Sequence, residues 1–170
     1  MTKSIHTLRP LWVAYRSIPR VSPATLLNNF KINDTPVPIE KIVRQLGIEI
    51  QMSNSDDFAG ASETRNHTAV IQLRARDARV RQRFTLAHEL CHVLWHPLGQ
   101  NFRDADFKPS TPLELEANGF AAELLMPEWM LRSAVASLGH EPLQLAAMFD
   151  VSVASMEYRQ RQFEQQGISP

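Results

Sequence analysis

The chain has 170 residues, and its 18 basic side chains balance 18 acidic ones, so no global field draws it toward nucleic acid or anionic lipid. Hydrophobic residues at 44% and charged residues at 21% fit a globular domain long enough to bury a core. The single cysteine, Cys91, excludes an internal disulfide, and no run approaches the ~20 apolar residues of a membrane span, so a soluble cytoplasmic protein is expected.

Residues 1–21 show little periodicity and read as a lead-in segment, because the apolar patch Leu11 to Tyr15 is shorter than a signal-peptide core. Ser22-Pro23 has the cap and first-turn proline of a helix that runs through Leu26, Leu27 and Phe30. Pro36-Val37-Pro38 opens a second helix, Ile39 to Leu46, closed by Gly47. Gly47 to Met52 and Thr68 to Leu73 read as strands, with loops at Ser53–Asp57 and Gly60–Asn66. From Asp77, a plausible cap, helical signals run to His96, where Pro97 stops them. Residues 97–110 read as a polar connection. Thr111-Pro112 starts a helix that ends at Met126-Pro127, and two or three short helices fill 128–165, with a turn at Gly139 and a cap at Ser152. The sum is an α+β chain: a core over 22–130 with a small sheet, and a C-terminal helical segment, 131–170, packed on it.

The chemistry concentrates in His88-Glu89-Leu90-Cys91-His92, an HExxH motif. Histidines four apart lie on one helix face, close enough to grip one zinc ion, and the adjacent glutamate can take a proton from an activated water. Chance placement of two core histidines is the plain alternative, and the helix context argues against it. Phe84, Leu86, Ala87, Leu90, Val93 and Leu94 cover most of the circumference, leaving one sector for His88, Glu89, His92 and His96. A buried helix with its ionisable groups in one stripe must satisfy them, and a metal does so.

The third ligand must come from elsewhere, since Trp95 and Leu98 occupy the glycine and histidine positions of the extended HExxHxxGxxH pattern. His96 lies ~12 Å along the helix axis from His88, which suits a supporting or cleft residue better than a ligand. Glu114 falls inside the apolar arc of its helix, whereas Glu116 and Glu123 share the opposite flank. Against a ligand role for Glu114, Thr111-x-x-Glu114 is also a capping box. Asn118, one turn on, is placed to orient a ligating carboxylate.

Arg83-Phe-Thr-Leu-Ala-His-Glu-Leu-Cys-His92, followed by Glu114-x-x-Ala-Asn-x-Phe-Ala-Ala-x-Leu-Leu-Met-Pro127, resembles the ImmA/IrrE family of metallopeptidases. Weaker likeness extends upstream, over Pro36 to Ile48, and downstream, over Leu145 to Met156. The resemblance implies a zincin-like, gluzincin-type core whose zinc is held by His88, His92 and Glu114. It also implies a regulatory protease, encoded on mobile elements or in stress responses, that cuts a helix-turn-helix repressor. Cys91 stands where that family usually has glycine, and a packing change is expected there.

On this reading Glu89 is the general base for metal-assisted attack of water on a peptide bond. Strand Thr68 to Leu73 is a candidate edge for an extended substrate. Arg83, His96, His140 and Tyr158 are open candidates for a further oxyanion donor or cleft residue. Two other functions compete. Residues 143–162, with Asp150-Val-Ser152 as the turn and Arg159 and Arg161 as cations, can be read as a helix-turn-helix, which would make a zinc-containing DNA-binding regulator. The neutral total charge favours an ordinary helical hairpin and no direct nucleic-acid binding. A module that sequesters a repressor without cutting it is the other rival, and the intact Glu89 argues against it.

Overall fold

A computed structural model describes residues 10–65, 68–97, 102–104 and 111–165. Helices α1 (Leu11–Arg16), α2 (Pro23–Asn29) and α3 (Ile39–Gln45) precede strands β1 (Ile48–Ser53), β2 (Gly60–Arg65) and β3 (Thr68–Arg74). Helix α4 (Arg79–Trp95), strand β4 (Phe102–Asp104) and helix α5 (Pro112–Leu125) follow. Helices α6 (Glu128–Leu138), α7 (Pro142–Phe149) and α8 (Val153–Gln165) end the chain.

The strands form one mixed sheet in the order β1-β3-β2-β4. β3 runs parallel to β1 and antiparallel to β2, pairing Ile50 with Ile71 on one side and Ser62 with Ile71 on the other. β3 is therefore interior and offers no free edge for a substrate, contrary to the expectation from its β-rich sequence. The edges are β1 and β4. Gly60 to Arg65, which reads as a loop, is the strand between β3 and β4. Its small and polar residues hide it, and its pairing with β3 along its whole length makes it.

Local chemistry accounts for several helix ends. Ser22 Oγ caps α2 by accepting from Thr25 N at 3.1 Å, and Ser152 Oγ caps α8 from Ser155 N at 3.1 Å. Gly47 ends α3 at a φ of 78°, where an added Cβ would also press on Pro10. Asp77 is not the cap of α4. That position falls to Ala78, while the Asp77 carboxylate takes Arg74 at 2.9 Å and Arg81 at 3.3 Å.

Helix α4 is the axis of the molecule, packed against β2, β3, α1, α3 and α5. Its Leu86, Ala87, Leu90, Cys91, Val93 and Leu94 are all buried. The N-terminal segment is no loose lead-in from Pro10 onward: α1 buries Trp12 and Tyr15 in the core. Arg16 Nη1 donates to the Val93 carbonyl at 2.7 Å, and Arg16 Nη2 donates to the His96 carbonyl. These bonds satisfy carbonyls that the end of α4 leaves without partners in its own helix. Among the described residues no helix is long and apolar enough to cross a membrane.

Candidate metal centre

His88 and His92 are one turn apart on α4, and both are buried. Helix α5 crosses beside them and brings Glu114 into their sector. Glu114 Oε2 lies 3.0 Å from His88 Nε2, Glu114 Oε1 lies 3.6 Å from His92 Nε2, and the two Nε2 atoms are 3.0 Å apart. The three donor atoms lie within 4.8 Å of one another and form the one such cluster among the described residues. Thr111 Oγ1 does cap α5 by accepting from Glu114 N at 3.3 Å. The Glu114 side chain turns away from that cap to the histidines, which, once protonated, donate to its carboxyl and hold it well below the usual carboxylate range.

Hydrogen-bond direction tests whether a cation fits. Asn118 Oδ1 is 2.9 Å from His88 Nδ1 and can only accept, so a neutral His88 carries its proton on Nδ1 and a lone pair on Nε2. That lone pair faces a carboxylate oxygen. Two acceptors at 3.0 Å repel unless a cation or a proton lies between them. A tetrahedral ion with bonds of ~2.0–2.2 Å would separate its donors by about 3.3–3.6 Å, close to the distances found. The set fits a divalent ion, and two imidazoles with one carboxylate suit zinc.

Glu89 is wholly buried, with its side chain against the start of β2. A Cβ added at Gly60 would overlap Thr85 Cγ2 and sit 2.8 Å from Glu89 Oε1. Glycine at this position therefore lets β2 approach the motif helix closely enough to wall in the glutamate. The sequence reading missed Gly60. Its signal was a glycine opening a run of small residues, which is also what a loop looks like.

The other candidates divide. His96 reaches the site through His92, with the two Nδ1 atoms 2.7 Å apart. Asn118 holds His88. Arg83 does not belong to the site: its guanidinium is buried on the far side of α4, donating to the Val37 carbonyl at 2.9 Å and the Asp150 carbonyl at 3.0 Å, with Asp150 Oδ2 at 3.2 Å. It braces α3 and α7 against α4. His140 is exposed beyond the Gly139 turn, at the far end of α6. Tyr158 lines a cavity of about 540 Å³ that also touches Val80, Phe84, Leu115, Asn118 and Ala122. Asn118 links this mostly apolar hollow to the donor cluster, since it also lies 2.9 Å from His88 Nδ1.

The pair that reads as a helix-turn-helix, α7 and α8, has its turn at Asp150, in the left-handed conformation with a φ of 53°. Of its two cations, Arg159 is tied down, donating to the Met126 carbonyl at 3.2 Å and lying over the Phe163 ring. Arg161 alone stays exposed.

An HExxH helix joined by a glutamate from the next helix, over a small mixed sheet, defines a candidate mononuclear centre of the metallopeptidase kind. The family model for peptidase M78, the IrrE N-terminal-like domain, matches residues 43–161, and the chain belongs to that family. No curated protein matches the chain.

Proposed function

We propose that this metallopeptidase is a zinc-dependent endopeptidase with a zincin-like core of gluzincin type, and that it cleaves a helix-turn-helix transcriptional repressor. The observation that carries the reading is the convergence of His88, His92 and Glu114 beside a wholly buried Glu89. His88, His92 and Glu114 would hold the ion. Zinc supplies Lewis acidity at such a site, toward a water and toward the substrate carbonyl. Glu89 takes the proton of the attacking water and returns it to the leaving amine. Its burial between α4 and β2 keeps bulk water from competing for that proton. Asn118 keeps the His88 proton on Nδ1, which leaves the Nε2 lone pair as the one that would hold the ion. The hollow beyond Asn118 offers room for an apolar side chain of the bound segment. The repressor as substrate rests on the family likeness of the paired motifs.

Glu89→Gln tests the reading. The variant should keep its zinc, about one per chain, because Glu89 is not a ligand. Its cleavage of a repressor encoded beside the gene should fall ~10²–10⁴-fold. The same pair is compared in a reporter under that repressor's control. Equal derepression by both forms, with no cleavage by either, would establish sequestration in place of proteolysis.

A further inference from the structure

His92 is oriented by a longer device than His88. Its Nδ1 lies 2.7 Å from His96 Nδ1, His96 Nε2 lies 3.3 Å from Glu116 Oε2, and Glu116 Oε1 accepts from Arg20 Nη2 at 3.0 Å. Glu116 is an acceptor and therefore takes the His96 proton at Nε2. A neutral His96 then has only a lone pair at Nδ1, and it must accept from His92 Nδ1–H. A neutral His92 so fixed carries its lone pair on Nε2, the atom that faces Glu114 and His88. One carboxylate thus sets the proton positions of two imidazoles in series.

The far end of this chain belongs to the segment before α2. Arg20 also lies over the Trp95 ring, 5.3 Å from its centroid, and Trp95 Nε1 donates to the Val21 carbonyl at 3.0 Å. With Arg16 on the carbonyls of Val93 and His96, three residues of this segment grip the last turn of α4. The segment lies outside the stretch matched by the family model.

We infer that Arg20, Glu116 and His96 act as a positioning chain that fixes the metal-facing nitrogen of His92, making the N-terminal segment a working part of the metal centre. The inference rests on the metal reading proposed above. Outer partners of ligating histidines typically change metal affinity ~10–100-fold when removed. Arg20 is mostly exposed and contributes least, since exposed ion pairs are screened.

Zinc affinity is measured by chelator competition for wild type, Glu116→Gln, His96→Phe and the double variant, beside the melting temperature of each metal-free protein. His96→Phe keeps the ring's bulk, and Glu116→Gln touches a partly exposed side chain. Each single change should weaken zinc ~10-fold or more while the metal-free melting temperature stays near wild type. The double variant should lose no more than His96→Phe alone, because Glu116 acts only through His96. Arg20→Ala should cost a few-fold. Nitrogen-15 spectra of the metal-free wild type should show His92 protonated at Nδ1. Wild-type affinity in both single variants, or losses that add in the double variant, overturns the chain. His92 protonated at Nε2 overturns it as well. A wild type that binds no zinc overturns the metal reading instead, and the tautomer measurement then still decides whether the chain exists.

Discussion

Glu114 and Glu116 sit two positions apart on α5, yet they face different histidines. Glu114 reaches His88 and His92, whereas Glu116 reaches His96 and Arg20. The helical wheel separates them because two residues turn the helix by ~200°. Glu114→Ala should therefore abolish stoichiometric zinc, while Glu116→Ala should weaken it and leave it measurable by elemental analysis after dialysis. Protonation acts on the same residues. Burial lowers the His96 pKa, so as pH falls through ~6.5 the unfolded chain takes up its proton before the folded one. The Glu114 carboxyl is lowered by the two histidines, which adds a second loss once unfolded glutamates protonate, near ~4.3. Metal-free protein should thus melt at a constant temperature between about pH 7 and 8 and lose stability in two stages below it. Thermal melts across pH check this, and His96→Phe should erase the first stage.

The elements that place the site were unequally visible in the sequence. α4 and α5 were legible from their apolar spacing: on α4 it leaves one polar stripe, which held His88, His92 and His96, and on α5 it singled out Glu114 as the carboxylate inside the apolar arc. β2 was not, because Gly60-Ala-Ser-Glu-Thr-Arg has no β-branched pattern, and its partners on both sides decide its conformation. The edge role expected for Thr68 to Leu73 failed for the related reason that a hidden strand covers that edge. Arg83 misled differently. Its position next to the motif in sequence says nothing of direction, and the helix turns it to Asp150 and Val37 instead. Gly60 carries the consequence of the close approach of β2 to α4. Gly60→Ala should push the two apart, costing ~1–3 kcal/mol by denaturant unfolding. It should also lower activity more than zinc content, since the added methyl group meets Thr85 and Glu89, neither of them a ligand.

Across the whole molecule, the segment that looked least informative is bound most widely. Trp12 is 2% exposed, its backbone N–H donates to the Leu46 carbonyl at 2.8 Å, and Arg16 and Arg20 reach the end of α4. Weak periodicity over so few turns concealed a helix that packing alone justifies. Trp12→Ala should cost ~3–5 kcal/mol in a denaturant titration, the loss expected when a core aromatic is truncated. Placement in the core also decides how the protein meets oxidants. Cys91 is the chain's one thiol, so its state is the redox state of the whole molecule. Burial, reinforced by the charge of Glu116, pushes that thiol far above its ordinary pKa, and the reactive species is the thiolate. A side chain between two of the motif's working residues is thereby withdrawn from sulfur chemistry. Peroxide and alkylating agents that silence thiol-bearing enzymes find no reactive thiolate here, and the protein meets an oxidative burst with its only sulfhydryl already disarmed.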